Sequence, residues 1–156
     1  MTFLEFETFL LSEECFNNHD VSIIDHDGKQ HYVDAENFWV YQAKISSYIL
    51  SDFTIKVEQY EKNLDINGTA HIFFNKKNGP TFGLHTDPVD VIIKCLDGIK
   101  DLEIDGKHVS LKSGEFAYIK SNTKHRALNY EKGLIVSYGI GDSETLNRIR
   151  ENNGDL

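Results

Sequence analysis

The chain has 156 residues, 40% hydrophobic and 12% aromatic, which suits one globular domain with a real core and excludes a disordered chain. Its 25 acidic and 16 basic side chains give a formal charge of −9, a balance that repels phosphate backbones and argues against nucleic-acid or anionic-membrane partners. The pair Lys76-Lys77 is too short to form a basic tract and reads as a solvated loop.

The pattern along the chain predicts three parts of a single domain spanning 1–156. In the first, residues 1–52, Phe3, Phe6, Phe9 and Leu10 fit a helical face, and residues 12–18 read as a fraying end or turn. Residues 21–25 and 30–33 flank Asp27-Gly28 and read as a hairpin. Asp34 can then cap a second helix, with Phe38, Tyr41, Ile45, Tyr48 and Ile49 at helical spacing.

From Phe53 the apolar period changes to two, opening a second part over residues 53–141. Extended runs are expected at 69–75, 81–87, 89–96, 99–104, 108–111, 115–120, 125–130 and 134–140. Turn signals separate many of them: Asn67-Gly68, Asn78-Gly79-Pro80, Asp97-Gly98, Asp105-Gly106 and Ser113-Gly114. Many short strands with tight turns indicate a β-sandwich or barrel. A last helix over 143–150 is expected in the third part, residues 142–156. The two cysteines, Cys15 and Cys95, lack the spacing of a zinc framework. The opening residues lack a basic region followed by an apolar run, and no stretch approaches membrane-spanning length, so a cytoplasmic location is the expectation.

The chemistry concentrates on a few residues. In His85-Thr86-Asp87, an imidazole and a carboxylate two apart on extended chain project to the same side and can converge on one cation. His125 opens a later strand and can supply a third ligand. Two His and one carboxylate on one face of an octahedral ion leave open positions, an arrangement that suits non-haem Fe(II). Taken alone, His-x-Asp fits a strand end beside a turn-forming Asp-Pro equally well. Lys100 adds to it: it shares a strand face with Leu102 and Ile104, whereas Asp101 and Glu103 take the other. That puts an ammonium on the apolar side, where an unpaired charge is costly and an anionic ligand would explain it. The competing reading is a frayed strand start with Lys100 reaching outward.

The stretches Thr81-Phe-Gly-Leu-His85-Thr-Asp87, Leu96-Asp-Gly98-Ile-Lys100 and Gly114-Glu-Phe-Ala-Tyr-Ile-Lys-Ser-Asn-Thr-Lys-His125 resemble the JmjC and related cupin-type 2-oxoglutarate oxygenases. The likeness covers roughly residues 65 to 140. Glu115 stands where that family has Asp, Lys120 where Pro is common, and the loop aromatics before the distal His are absent. The resemblance implies a mainly β fold, a double-stranded β-helix (cupin or jelly-roll barrel), to which the residue pattern adds flanking N-terminal helices and a short C-terminal helix. It implies Fe(II) on His85, Asp87 and His125, 2-oxoglutarate as cosubstrate with its far carboxylate on Lys100, and dioxygen as oxidant. The implied reaction hydroxylates or demethylates a small molecule or a peptide or protein segment.

Asn129, His71 and Asn75 are further candidates to contact the cosubstrate. His71 and Asn75 share a strand face with Phe73, and Asn129 lies four residues beyond His125. Tyr118 and Tyr138 either line the barrel or pack in its core, and Cys95 reads as a small buried hydrophobe. Two other classes stay open: a different metal-dependent cupin enzyme, and a non-catalytic binding domain that uses the pocket for an anion. Oligomeric state is not legible, and a homodimer through the aromatic N-terminal part is one arrangement the sequence allows.

Overall fold

The computed structural model describes residues 2–10, 12, 20–25, 27–33, 47–51 and 68–140. Its helix, α1 (Phe3–Leu10), begins with a reciprocal cap. The Glu5 N–H donates to Thr2 Oγ1 at 3.1 Å, and the Thr2 N–H donates to Glu5 Oε2 at 2.9 Å. Phe3 and Phe6 are the buried side chains of α1; Phe3 stacks on Phe74 with ring centroids 4.4 Å apart, while Leu4 faces solvent. The Phe3 N–H donates to Asp97 Oδ2 at 2.6 Å, tying the helix to the middle of a long strand.

The strands are β1 (Asp20–Ile24), β2 (Gln30–Val33), β3 (Ser47–Ser51), β4 (Gly68–Asn75), β5 (Asp90–Ile104), β6 (Lys107–Lys112), β7 (Phe116–Ile119), β8 (His125–Ala127) and β9 (Gly133–Ile140). All pairings are antiparallel and run in the order β2-β1-β3-β4-β9-β5-β6, with β7 and β8 also on β5. β5 is the spine. Its first half pairs with β7 and β9, and its second half pairs with β6 and β8. Between the halves lies a bulge, where Cys95 faces Ile135, Asp97 faces Leu134, and Leu96 is the extra residue. A core of Val91, Ile93, Cys95, Leu102, Leu111, Ile119 and Ile135 fills the space between the layers.

Glycine is required where this spine meets β9. Gly98 has φ +78, and a Cβ there would strike the backbone carbonyl of Lys132. A Cβ on Gly133 would lie 2.8 Å from the Ile99 carbonyl and 3.3 Å from Asn75 Oδ1. The Asp105-Gly106 turn has positive φ at both residues, 50 and 76, the type I′ geometry whose twist matches a two-residue hairpin.

Four expectations are corrected. Tyr48 and Ile49, expected on a helix, lie in β3, which pairs with both β1 and β4; sheet partners on both sides outrank a helical spacing of apolar residues. The run 81–87 is not a strand. It is irregular chain with one bridge, His85 to His125. Asp97-Gly98 does not end a strand but lies at the bulge inside β5. The strand expected at 125–130 stops at Ala127, because Asn129 takes a positive φ of 50. The rest of the second helix, the strand start at Phe53, most of the 12–18 turn and the helix at 143–150 lie outside the described residues. Among the described residues no helix is long and apolar enough to cross a membrane.

Candidate metal centre and anion pocket

His85 and His125 are brought together by their backbones. Each N–H donates to the other's carbonyl, at 3.0 and 2.9 Å, and the rings stand with centroids 4.4 Å apart. Both imidazoles are then oriented in the same way. The Nδ1 of His85 lies 2.7 Å from the Gly83 carbonyl, and that of His125 lies 2.8 Å from the Thr123 carbonyl. A carbonyl only accepts, so Nδ1 carries the proton and each Nε2 presents a lone pair.

Those lone pairs converge on Asp87. Its Oδ2 lies 3.1 Å from His125 Nε2 and 3.9 Å from His85 Nε2, and one ligand atom from each of the three residues lies within 4.8 Å of the others. Adjacent ligands of an octahedral ion stand about 3 Å apart when bonds are about 2.1 Å, so the set fits a cation. Two imidazoles and one carboxylate are a donor set that could hold a transition-metal ion. The Asn122 N–H donates to the Asp87 carbonyl at 2.8 Å, which ties the loop bearing His85 and Asp87 to the turn before His125.

A cavity of about 420 Å³ extends from this cluster into the barrel. Lys100 lines it from the second half of β5 and is only 3% exposed. Its Nζ donates to Asn129 Oδ1 at 2.7 Å and to Asn75 Oδ1 at 3.3 Å, and among the described residues it forms no ion pair with a carboxylate. Burial, the largest influence, pushes its pKa from 10.5 down to about 8, against the opposing pull of Cys95 and of the adjacent Asp101. Asp101 points the other way and meets His108 Nε2 at 2.9 Å.

Of the residues singled out in the sequence, His85, Asp87, His125, Lys100, Asn129, His71 and Asn75 all line this one cavity. Asn129 arrives by a different route from the one expected. It lies past the end of β8 in the left-handed region, so its position comes from a turn rather than from strand alternation. Tyr118 and Tyr138 do not line the cavity, and Tyr138 is fully buried in the core. Cys95 is a buried thiol, as expected. Sequence reasoning missed Phe82, Val89, Gln30 and Ser137, which also line the cavity. None of the four had a local signal; Ser137 enters because β9 sets it directly opposite His71.

Residues 68–137 match the cupin-domain family model. The ribosomal oxygenase YcfD from Escherichia coli, in complex with cobalt and 2-oxoglutarate, aligns at a TM-score of 0.64 and 16% identity, over 96% of this chain and 48% of that one. Its complex with cobalt and succinic acid gives a TM-score of 0.64 and 17% identity over the same shares. A conserved Streptococcus pyogenes protein of unknown function, SPY1581, aligns over 51% of this chain and 70% of its own at 16% identity and a TM-score of 0.43. No curated protein matches the chain. The chain spans about half the length of the E. coli oxygenase, and at such identities the likeness carries the fold alone. On the match over 68–137 and this architecture, the strands β4 to β9 form a cupin barrel.

Proposed function

We propose that this protein is an Fe(II)- and 2-oxoglutarate-dependent oxygenase acting on a small molecule or a short peptide segment. The observation that carries the reading is Lys100, a buried ammonium whose hydrogen-bond partners among the described residues are two neutral amides, facing the same cavity as a His-Asp-His cluster. A charge buried without a counter-charge is costly, and a ligand carboxylate would offset that cost. A keto diacid has a chelating end for the metal and a free carboxylate for Lys100. In this reading His85, Asp87 and His125 hold Fe(II), which together with 2-oxoglutarate would supply the activation of dioxygen.

The chain's own residues supply geometry. Lys100 anchors the far carboxylate by a charge-assisted hydrogen bond and so fixes the orientation of the keto acid. Leu102, Ile93 and Ile135 wall the cavity with apolar surface and keep bulk water out. Phe82 and Val89 give the substrate an apolar approach beside the ligand loop.

The test is anaerobic addition of Fe(II) and 2-oxoglutarate to the purified protein, followed by the visible charge-transfer absorption of the chelate. The band is expected in the parent protein. In Lys100→Met, 2-oxoglutarate affinity should fall about a hundredfold while Fe(II) affinity stays, since a buried charge partner is lost. Metal binding without any band would replace the reading with another metal-dependent cupin activity. Equal 2-oxoglutarate affinity in parent and mutant would remove Lys100 from the cosubstrate.

A further inference from the structure

We infer that Asn75 and Asn129 are specificity-determining positioning residues, a neutral cradle that aims Lys100 into the cavity with its charge uncancelled, so that the site selects ligands carrying a second carboxylate. The inference rests on the proposed 2-oxoglutarate reading and deepens it.

The orientation of both amides is dictated by their surroundings. The Asn129 Nδ2 lies 3.3 Å from the Gly79 carbonyl and 3.2 Å from the Pro80 carbonyl. The Asn75 Nδ2 lies 3.1 Å from the Lys76 carbonyl and 2.8 Å from the Glu131 carbonyl. Four carbonyl oxygens can only accept, so both NH₂ groups must sit there. Each Oδ1 is thereby turned toward Lys100. The two asparagines are 2% and 4% exposed, so no solvent reorients them.

An ammonium has three donors. Two are taken by Asn75 and Asn129, which leaves one for a ligand in the cavity. The cradle thus does two things at once. It removes the rotamer freedom of a long side chain before the ligand arrives, and it does so without a negative charge. An acidic residue in either place would neutralise Lys100 and repel an incoming carboxylate. Gly133 leaves room for this geometry, since a Cβ there would crowd Asn75 Oδ1.

The test compares two keto acids on the Fe(II)-loaded protein under anaerobic conditions. 2-Oxoglutarate and 2-oxopentanoate share the chelating end, but the second lacks the far carboxylate. The parent should bind 2-oxoglutarate much more tightly. Asn129→Asp, nearly isosteric, should lower that preference by about tenfold or more, the worth of a charge-assisted hydrogen bond. Its affinity for Fe(II) and for 2-oxopentanoate should stay at the parent level, which a merely structural disturbance would not spare. Asn75→Asp, at the longer contact, should lower the preference by less, and it carries the test if Asn129→Asp does not fold. An undiminished preference in a folded Asp variant overturns the cradle. A parent that binds neither acid, or binds both alike, overturns the proposed function itself.

Discussion

The two ends of the cavity are built on opposite plans. At the metal end, the side chains of His85 and Asp87 are 39% and 37% exposed, and only His125 is covered. At the other end Lys100, Asn75 and Asn129 are each under 5% exposed. His85 and Asp87 hang on irregular chain that bridges to His125 at the start of β8, whereas the lysine stands in the second half of a 15-residue strand and pairs with Leu111 of β6. Under the proposed function the difference separates two tasks. A metal site that must accept other molecules needs open positions and a route to them. An anion site gains from a closed, low-dielectric setting, where one charge and two fixed dipoles count for most.

The largest expected effect breaks the open end alone. Asp87→Ala should lower Fe(II) affinity by more than about a hundredfold, because losing even an outer partner of a ligand costs about ten- to a hundredfold. Since Asp87 is partly exposed and outside the core, its thermal unfolding should barely move. A mutant that keeps metal affinity would exclude Asp87 as a ligand.

Gly133→Ala strikes the closed end instead. The new methyl would meet the Ile99 carbonyl at 2.8 Å and Asn75 Oδ1 at 3.3 Å, so β9 or β5 must shift. A loss of about 1–3 kcal/mol in denaturant unfolding is expected, together with weaker 2-oxoglutarate binding and unchanged Fe(II) binding. A variant that lost both affinities alike would show that the two ends are not separable.

A third effect is an alkaline slope in stability. The folded-state pKa of Lys100 is about 8 against an ordinary 10.5, so across that window the unfolded chain binds more protons. Its contribution to stability therefore rises with pH from about 8 to 10.5. Cys95, whose thiol burial pushes up from 9.0 to about 11, contributes the opposite slope. Comparing Cys95→Ala with Cys95→Ala/Lys100→Met, both without the thiol, isolates the lysine. A flat difference would mean that the closed end does not strain its charge.

Much of this asymmetry was legible in the sequence. The spacing of His85, Asp87 and His125 identifies the cluster, and alternation along 99–104 puts Lys100 inside, as its burial bears out. Turn residues located the hairpins at Asp27-Gly28 and Asp105-Gly106, because positive φ is a local demand that Gly and Asp meet locally. The same signal misled at Asp97-Gly98. Positive φ is real there, but it serves a bulge, and only the long-range partner β9 distinguishes a bulge from a turn. Residues 81–87 failed for a related reason. Their composition allows extended chain, yet a ladder needs a neighbour, and only His85 has one. The cavity roles of Gln30 and Ser137 depend on which strands become neighbours, which no single segment records.

The bulge in β5 also decides which charge stands at the far end of the cavity. Before it the odd-numbered Val91 and Ile93 face the cavity; after it the even-numbered Lys100 and Leu102 do. One surplus residue has shifted the alternation by one place. Were the same residues to run in unbroken alternation with no bulge, the second half would slip by one place, turning Lys100 outward and bringing Asp101 inward. The far end of the cavity would carry an anion in place of a cation with no substitution at either position. Whether the barrel attracts or repels an acid is therefore a matter of counting along the strand as well as of which residues it carries.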